Sequence, residues 1–232
     1  MNSIFRRSLL SLAVVTGGAV AGPAIAGQAV AGPETAAQAA AGPETAAELV
    51  RSNSSVAAQP HPPPDQGKRV LHYDYQRQPN SYYCAPAATR IALSTKGKIV
   101  SQREVAKKLG TTEAGTNSVN DTTRVLNELT GGGYETTEIE GAEANPEQVG
   151  TLRTDVVEAV DAQRGVVANI TGTAVDTHGN QYSYESGHYV SVVGYRNGGH
   201  TMRIADPYDP TKHYWMRDEK VADWIAERGY SS

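Results

Sequence analysis

Cys84 is the only thiol in 232 residues. It follows Ser81-Tyr82-Tyr83 and precedes Ala85-Pro86-Ala87-Ala88. Proline is tolerated in the first turn of a helix, where its missing N–H would be unsatisfied anyway. The pattern predicts a helix that begins near Cys84 and carries the sulfur at its N-terminus. There the dipole and the free backbone N–H groups favour a thiolate and can hold a developing oxyanion. A buried structural thiol has no need of this placement, though chance could put one there. His188 is the matching base. It opens a stretch in which His188, Val190 and Val192 alternate with Tyr189, Ser191 and Val193, and Gly187 just before it allows close approach of backbone or substrate. A histidine at a strand end can present its ring to a cleft, and it can equally be held by a backbone carbonyl. Asp206 ends Ile204-Ala205-Asp206-Pro207, where the proline favours extended geometry before it. An acid there would accept a hydrogen bond from the imidazole and hold its tautomer. It lies 18 residues after His188 (206 − 188), as adjacent strands permit. Asp209-Pro210 repeats the dipeptide in a more loop-like setting, so Asp209 stands as the rival acid.

Other chemistries find little support. The six histidines (His61, His72, His178, His188, His200 and His213) form no His-x-x-x-His pair, and one cysteine cannot supply a metal cage. There is no phosphate loop and no dinucleotide fingerprint, so neither a metal nor a cofactor is expected. The formal charge of −4 gives no support for a nucleic-acid partner.

The elements that must position these residues occupy the second part of the chain. Residues 1–26 read as an export signal: Arg6-Arg7, the apolar run Leu9 to Val15, and Ala24-Ile25-Ala26 as a small-x-small cleavage site. Gly17, Gly18, Gly22 and Pro23 interrupt the apolar stretch, so stable membrane insertion is not expected. The arginine pair also resembles a twin-arginine signal, and the general secretory route is the simpler reading. Residues 27–69 are biased. Ala31-Gly32-Pro33-Glu34-Thr35-Ala36-Ala37 returns ten positions later as Ala41 to Ala47, and Pro62-Pro63-Pro64 marks an extended linker. This segment offers few apolar side chains and is expected to be disordered, serving as a propeptide or a tether. All twelve tyrosines and both tryptophans follow residue 70, which places one folded domain at 70–232. A secreted chain with one cysteine forms no internal disulfide and must fold on its core alone.

Within that domain the periodicity predicts helices first and strands second. The first helix starts near Cys84 and covers Ala87 to Leu93. The second is capped by Ser101 with Glu104 three positions on, and stops at Gly110. The third runs from about Val119 to Leu129, and another covers Asp155 to Gln163. Strands are expected at Tyr134–Ile139, Val166–Thr171, His188–Tyr195, Thr201–Ala205 and His213–Met216, followed by a short helix with Val221, Trp224 and Ile225. The order indicates an α+β fold with a mostly antiparallel sheet.

Gln78-Pro79-Asn80-Ser81-Tyr82-Tyr83-Cys84-Ala85-Pro86-Ala87 resembles the nucleophile motif of papain-like cysteine peptidases, most closely the family related to bacteriocin double-glycine leader peptidases. Gly187 to Tyr195 is similar to that family's histidine strand, and Ile204-Ala205-Asp206-Pro207 to its third member, with Tyr214-Trp215 and a closing helix after it. Gly115-Thr116 fits as well, and the likeness spans about Leu71 to Gly229. The resemblance implies a papain-like fold with the nucleophile helix packed on an antiparallel sheet. It also implies a glutamine ahead of the nucleophile as oxyanion donor: Gln78, six residues before Cys84 (84 − 78), with Gln76 as the rival. Many relatives have glycine where this chain has Ala85, which makes the turn less permissive. The leader peptidases are usually fused to membrane transporters. No such segment follows Ser232, so their leader specificity is not carried over.

Together these readings give a secreted cysteine peptidase that hydrolyses peptide bonds through Cys84, His188 and Asp206 and a thioester acyl-enzyme. Its partner would be a peptide or protein substrate, outside the cytoplasm and compatible with cell-envelope association. An amidase or acyltransferase with the same site, and an exported binding protein without turnover, remain as alternatives. Thiol-directed labelling that substrate blocks separates the enzymes from the binding protein.

Overall fold

A computed structural model describes residues 67–208 and 213–232. The signal and repeat segments and Asp209 lie outside the described residues. In chain order the elements are β1 (Arg69–Val70), α1 (Cys84–Thr95), α2 (Gln102–Leu109), α3 (Val119–Thr130), β2 (Thr136–Ile139), α4 (Pro146–Asp161), β3 (Val166–Val175), β4 (Gln181–Arg196), β5 (Thr201–Ala205), β6 (His213–Arg217), α5 (Asp218–Ile225) and β7 (Arg228–Ser231). Every strand pairing among them is antiparallel, in the order β2-β7-β3-β4-β5-β6, with β1 added alongside the end of β4. The fold is α+β and papain-like, with helices packed on an antiparallel sheet.

Local chemistry explains most of the boundaries. Ser101 accepts a hydrogen bond from the Glu104 amide at 3.2 Å, and Gly110 closes α2 in the left-handed region at φ 70. Helix α4 begins at Pro146, nine residues before the expected Asp155. Asn145 and Gln148 form a reciprocal capping box, and Pro146 sits in the first turn, signals that the apolar periodicity overlooks. Strands β3 and β4 extend toward each other beyond the apolar stretch into a long hairpin whose outer part is partly exposed. The short strands β1 and β7 were not expected. Two and four residues carry too little period-2 signal, and both form by pairing with distant partners.

Two cores flank the sheet. One face carries Val166, Ala168, Ile170, Val190, Val192 and Ile204 against α4 and α5, where Trp224 and Ile225 are fully buried. The other carries Val167 and Tyr189 against Ala85, Ala88, Ala92 and Leu93 of α1, with α2 and α3 behind. Helix α1 is therefore central, buried continuously from Ala85 to Ser94. The Ser191 hydroxyl donates to the Ala88 carbonyl at 2.7 Å and fixes α1 to β4. At the other end Gly165 lets the helix close on the sheet, since a Cβ there would stand 3.0 Å from the Ala92 Cα. Such anchoring fixes where the first residue of α1 can point.

Candidate active site

Cys84 is the first residue of α1 and is half-buried. The first N–H groups of a helix have no intrahelical acceptor, so the Cys84 amide is available beside its own sulfur. Ala85, where a glycine was the common pattern, is already helical and its methyl is fully buried in the α1 core. The substitution is accommodated by packing.

The approach to α1 is built by residues 71–83. Arg90 of α1 binds Asp74 at 2.7 Å, and the Gln102 amide of α2 donates to Gln76 Oε1 and to the Arg77 carbonyl, each at 2.9 Å. The Gln78 backbone N–H donates to the Pro207 carbonyl at 2.9 Å, which ties this segment to the loop after β5. A turn follows in which Asn80 Oδ1 accepts from the Tyr82 amide at 3.2 Å and the Asn80 carbonyl accepts from Gln78 Nε2 at 2.7 Å. Gln78 is buried, whereas Gln76 is exposed and engaged with α2. In a strand the period of two would put both glutamines on one side. The segment is irregular rather than a strand, so period 2 does not apply. Gln78 Oε1 is buried without a hydrogen-bond partner, a cost accepted to hold its amide nitrogen in this turn.

His188 is set by an irregularity in the hairpin. Its partner is Ile170, but the next pair outward is Gly172 with Tyr184, so β4 holds three residues (185–187) against one on β3. Gly187 takes φ 88, a region that favours glycine. The bulge brings Tyr184 over the imidazole: the rings stack with centroids 4.1 Å apart at 21°. His188 Nε2–H donates to Asp206 Oδ1 at 2.9 Å. The Cys84 side chain lies near enough to act on the same ring, for which Nδ1 is the nitrogen left.

Asp206, 1% exposed, is held on both oxygens. Oδ1 accepts from His188 and from the Tyr208 amide at 2.9 Å, and Oδ2 accepts from the hydroxyls of Tyr184 at 2.7 Å and Tyr214 at 3.0 Å. The Tyr75 hydroxyl donates to the Asp206 carbonyl at 2.9 Å. Burial by itself would raise the carboxyl, but hydrogen bonding and charge from His188, then the other donors, hold it below its ordinary value. Burial by itself would lower the imidazole, but Asp206 and Cys84 outweigh it and push His188 up to about 9. The imidazolium form is therefore favoured between the Asp206 carboxylate and the sulfur. That arrangement can activate a thiol nucleophile and later protonate a leaving group.

Two cavities flank this centre. Arg77, Gln78, Pro79, Asn80, Ser81 and Tyr208 line one of about 520 Å³. The other, about 400 Å³, contains Cys84 and is walled by Ser81, Tyr82, the 113–117 loop with Gly115-Thr116, and Gly187, Tyr189 and Arg228. Among the described residues no cluster of three or more His, Cys, Asp or Glu could hold a metal, and no helix is long and apolar enough to cross a membrane.

The profile described as the Peptidase_C39 like family matches residues 70–232. The chain belongs to this family. Among solved structures it is similar to a protein described as a C39-like peptidase from Bacillus anthracis, at 13% identity and TM-score 0.52, over 71% of this chain and 96% of that one. At that identity the likeness speaks for the fold. Lower TM-scores of 0.45 and 0.44 relate the chain to two other structures. One is the peptidase domain of Streptococcus ComA (19% identity, 69% of this chain and 97% of that one), the other a double glycine motif protease from an AMS/PCAT transporter in complex with the leader peptide (14%, 72% and 96%). No curated protein sequence matches this C39-like chain.

The structure thus brings Cys84, His188 and Asp206 together, with Gln78 beside the same loop. Sequence reasoning missed Tyr184, Tyr75 and Tyr208 around Asp206, and Asn169, Tyr189 and Arg228 in the cavity. Tyr184 had a faint signal, since Tyr182 and Tyr184 alternate ahead of Gly187-His188. Arg228 had none, because it belongs to the unexpected strand β7.

Proposed function

We propose that this chain is an exported cysteine peptidase that hydrolyses peptide bonds through Cys84, His188 and Asp206. The observation that carries the reading is the His188 imidazole held between Asp206 and the Cys84 side chain at the N-terminus of α1. The Cys84 thiolate attacks the carbonyl carbon of the scissile bond. The Cys84 backbone N–H and the second N–H of Gln78 Nε2 stabilise the oxyanion. His188 gives its proton to the departing amine as the C–N bond breaks and a thioester forms. Water then attacks the thioester and loses a proton to His188, and the C–S bond breaks to release the acid and return the thiolate. Asp206 keeps Nε2–H engaged throughout, so Nδ1 is the nitrogen that moves the proton.

Residues 1–26 would direct export and residues 27–69 would link to the domain at 70–232, which places the reaction outside the cytoplasm. A cavity of about 400 Å³ at Cys84 and a second of about 520 Å³ that meets it at Ser81 favour an extended peptide over a small amide. The test is digestion of an unfolded protein such as reduced casein by wild type, C84A and H188A. Cleavage that both substitutions and prior alkylation of Cys84 abolish supports the reading. No cleavage of casein or of a broad peptide library by wild type with a free Cys84 overturns it.

A further inference from the structure

Arg228 shares the cavity that contains Cys84. It opens β7 directly after Glu227, which takes the left-handed backbone at φ 61 and is fixed by its N–H to the Ile139 carbonyl at 2.9 Å. This turn aims the guanidinium back over the bulge of β4: a Cβ on Gly187 would stand 3.6 Å from Arg228 Nη2. Gly187 is the neighbour of His188 and lines the Cys84 cavity with Arg228, which puts the cation on the order of 10 Å, about three extended residues, from the reacting centre. Tyr189 lines the same cavity, with its hydroxyl accepting from Asn169 Nδ2 at 3.2 Å.

Arg69, Arg90, Arg124 and Arg153 each pair with an aspartate, but among the described residues no ion pair involves Arg228. Glu113 lines the same cavity and Glu138, Glu140 and Glu227 line the one adjoining it across Asn117, Asn169 and Arg228. The Cys84 cavity therefore holds one guanidinium without an ion pair and one carboxylate, Glu113, with three more carboxylates in the adjoining cavity.

Building on the peptidase reading, we propose that Arg228 is a specificity residue that selects peptides with an aspartate or glutamate within three residues of the scissile bond, on the Gly187 side. The planar guanidinium accommodates a carboxylate with two parallel N–H···O bonds, and because Arg228 is exposed, water and salt screen the pair. A second acid further along would meet Glu138, Glu140 and Glu227, which limits the preference to one position. An exposed charge-assisted contact of this kind corresponds to roughly twofold to fivefold in kcat/KM.

The test is cleavage of a proteome-derived peptide library by the full-length chain, with the new termini read by mass spectrometry. Wild type should enrich Asp and Glu at a single position on one side of the bond. R228Q should lose that enrichment, R228K should retain part of it, and R228E should replace it with Lys and Arg. Cleavage without an acidic preference in wild type, or a preference unchanged in R228Q and R228E, overturns the assignment and leaves the peptidase reading standing. No cleavage at all by wild type removes the peptidase reading, and the specificity with it.

Discussion

Asp206→Asn separates the charge of the buried acid from its hydrogen bonding. Oδ1 faces two N–H donors, His188 Nε2 and the Tyr208 amide, while Oδ2 faces the hydroxyls of Tyr184 and Tyr214. An asparagine would therefore keep its oxygen toward His188 and turn its NH₂ toward the two phenols, which rotate to accept. The imidazole keeps its orientation and loses only the carboxylate charge. With that charge His188 is pushed up to about 9 from 6.5, a difference worth about 3 kcal/mol at roughly 1.4 kcal/mol per pH unit. Without it, burial acts against Cys84 alone, and the midpoint should fall toward or below 6.5.

A raised folded-state value means the contribution is fully present below about pH 6.5 and is lost as pH rises through about 9. Wild type should therefore lose up to about 3 kcal/mol more than D206N between pH 6.5 and 10, measured by urea unfolding at each pH. Comparing the two proteins cancels groups that titrate alike in both. NMR titration of the histidine ring protons, with H188Q for assignment, measures the midpoint directly. A His188 midpoint that stays near 9 in D206N would refute this account of the site, whatever the turnover of the variant. D206A, which removes the acceptor as well, should impair turnover more than D206N does.

Gln78→Ala should lower kcat by roughly 10²–10³-fold with folding nearly intact, while Gln76→Ala, whose partner is Gln102 on α2, should change it far less; steady-state kinetics on both folded variants checks this. A chain beginning at Gln66 should melt within a few degrees of one beginning at Gly27. The omitted residues offer little apolar surface, and ordering them would cost roughly 1–2 kcal/mol each in backbone entropy. A large fall in Tm on truncation would contradict that boundary.

The sequence by itself determined what local rules can encode. Pro86 two residues after Cys84 set the start of α1, and Ser101, Glu104 and Gly110 bounded α2. The even spacing of Val190 and Val192 against Ser191 and Val193 marked β4, and helices before strands gave the α+β class. Each rests on backbone hydrogen bonding or burial periodicity within a few residues. Motif order named Cys84, His188, Asp206 and Gln78, but spacing along a chain does not give distance through space. That was decided by contacts between remote residues: Ser191 on the Ala88 carbonyl, Gly165 against Ala92, and the Gln78 amide on Pro207. The outward extension of the β3–β4 hairpin and its bulge were likewise hidden, because Tyr184 to Gly187 are partly exposed and carry no apolar period. Yet that bulge lays Tyr184 across His188 and delivers its hydroxyl to Asp206. Arg228 entered the cleft only because β7 pairs with β2 and β3, an assembly of long-range hydrogen bonds that a four-residue strand cannot announce in advance.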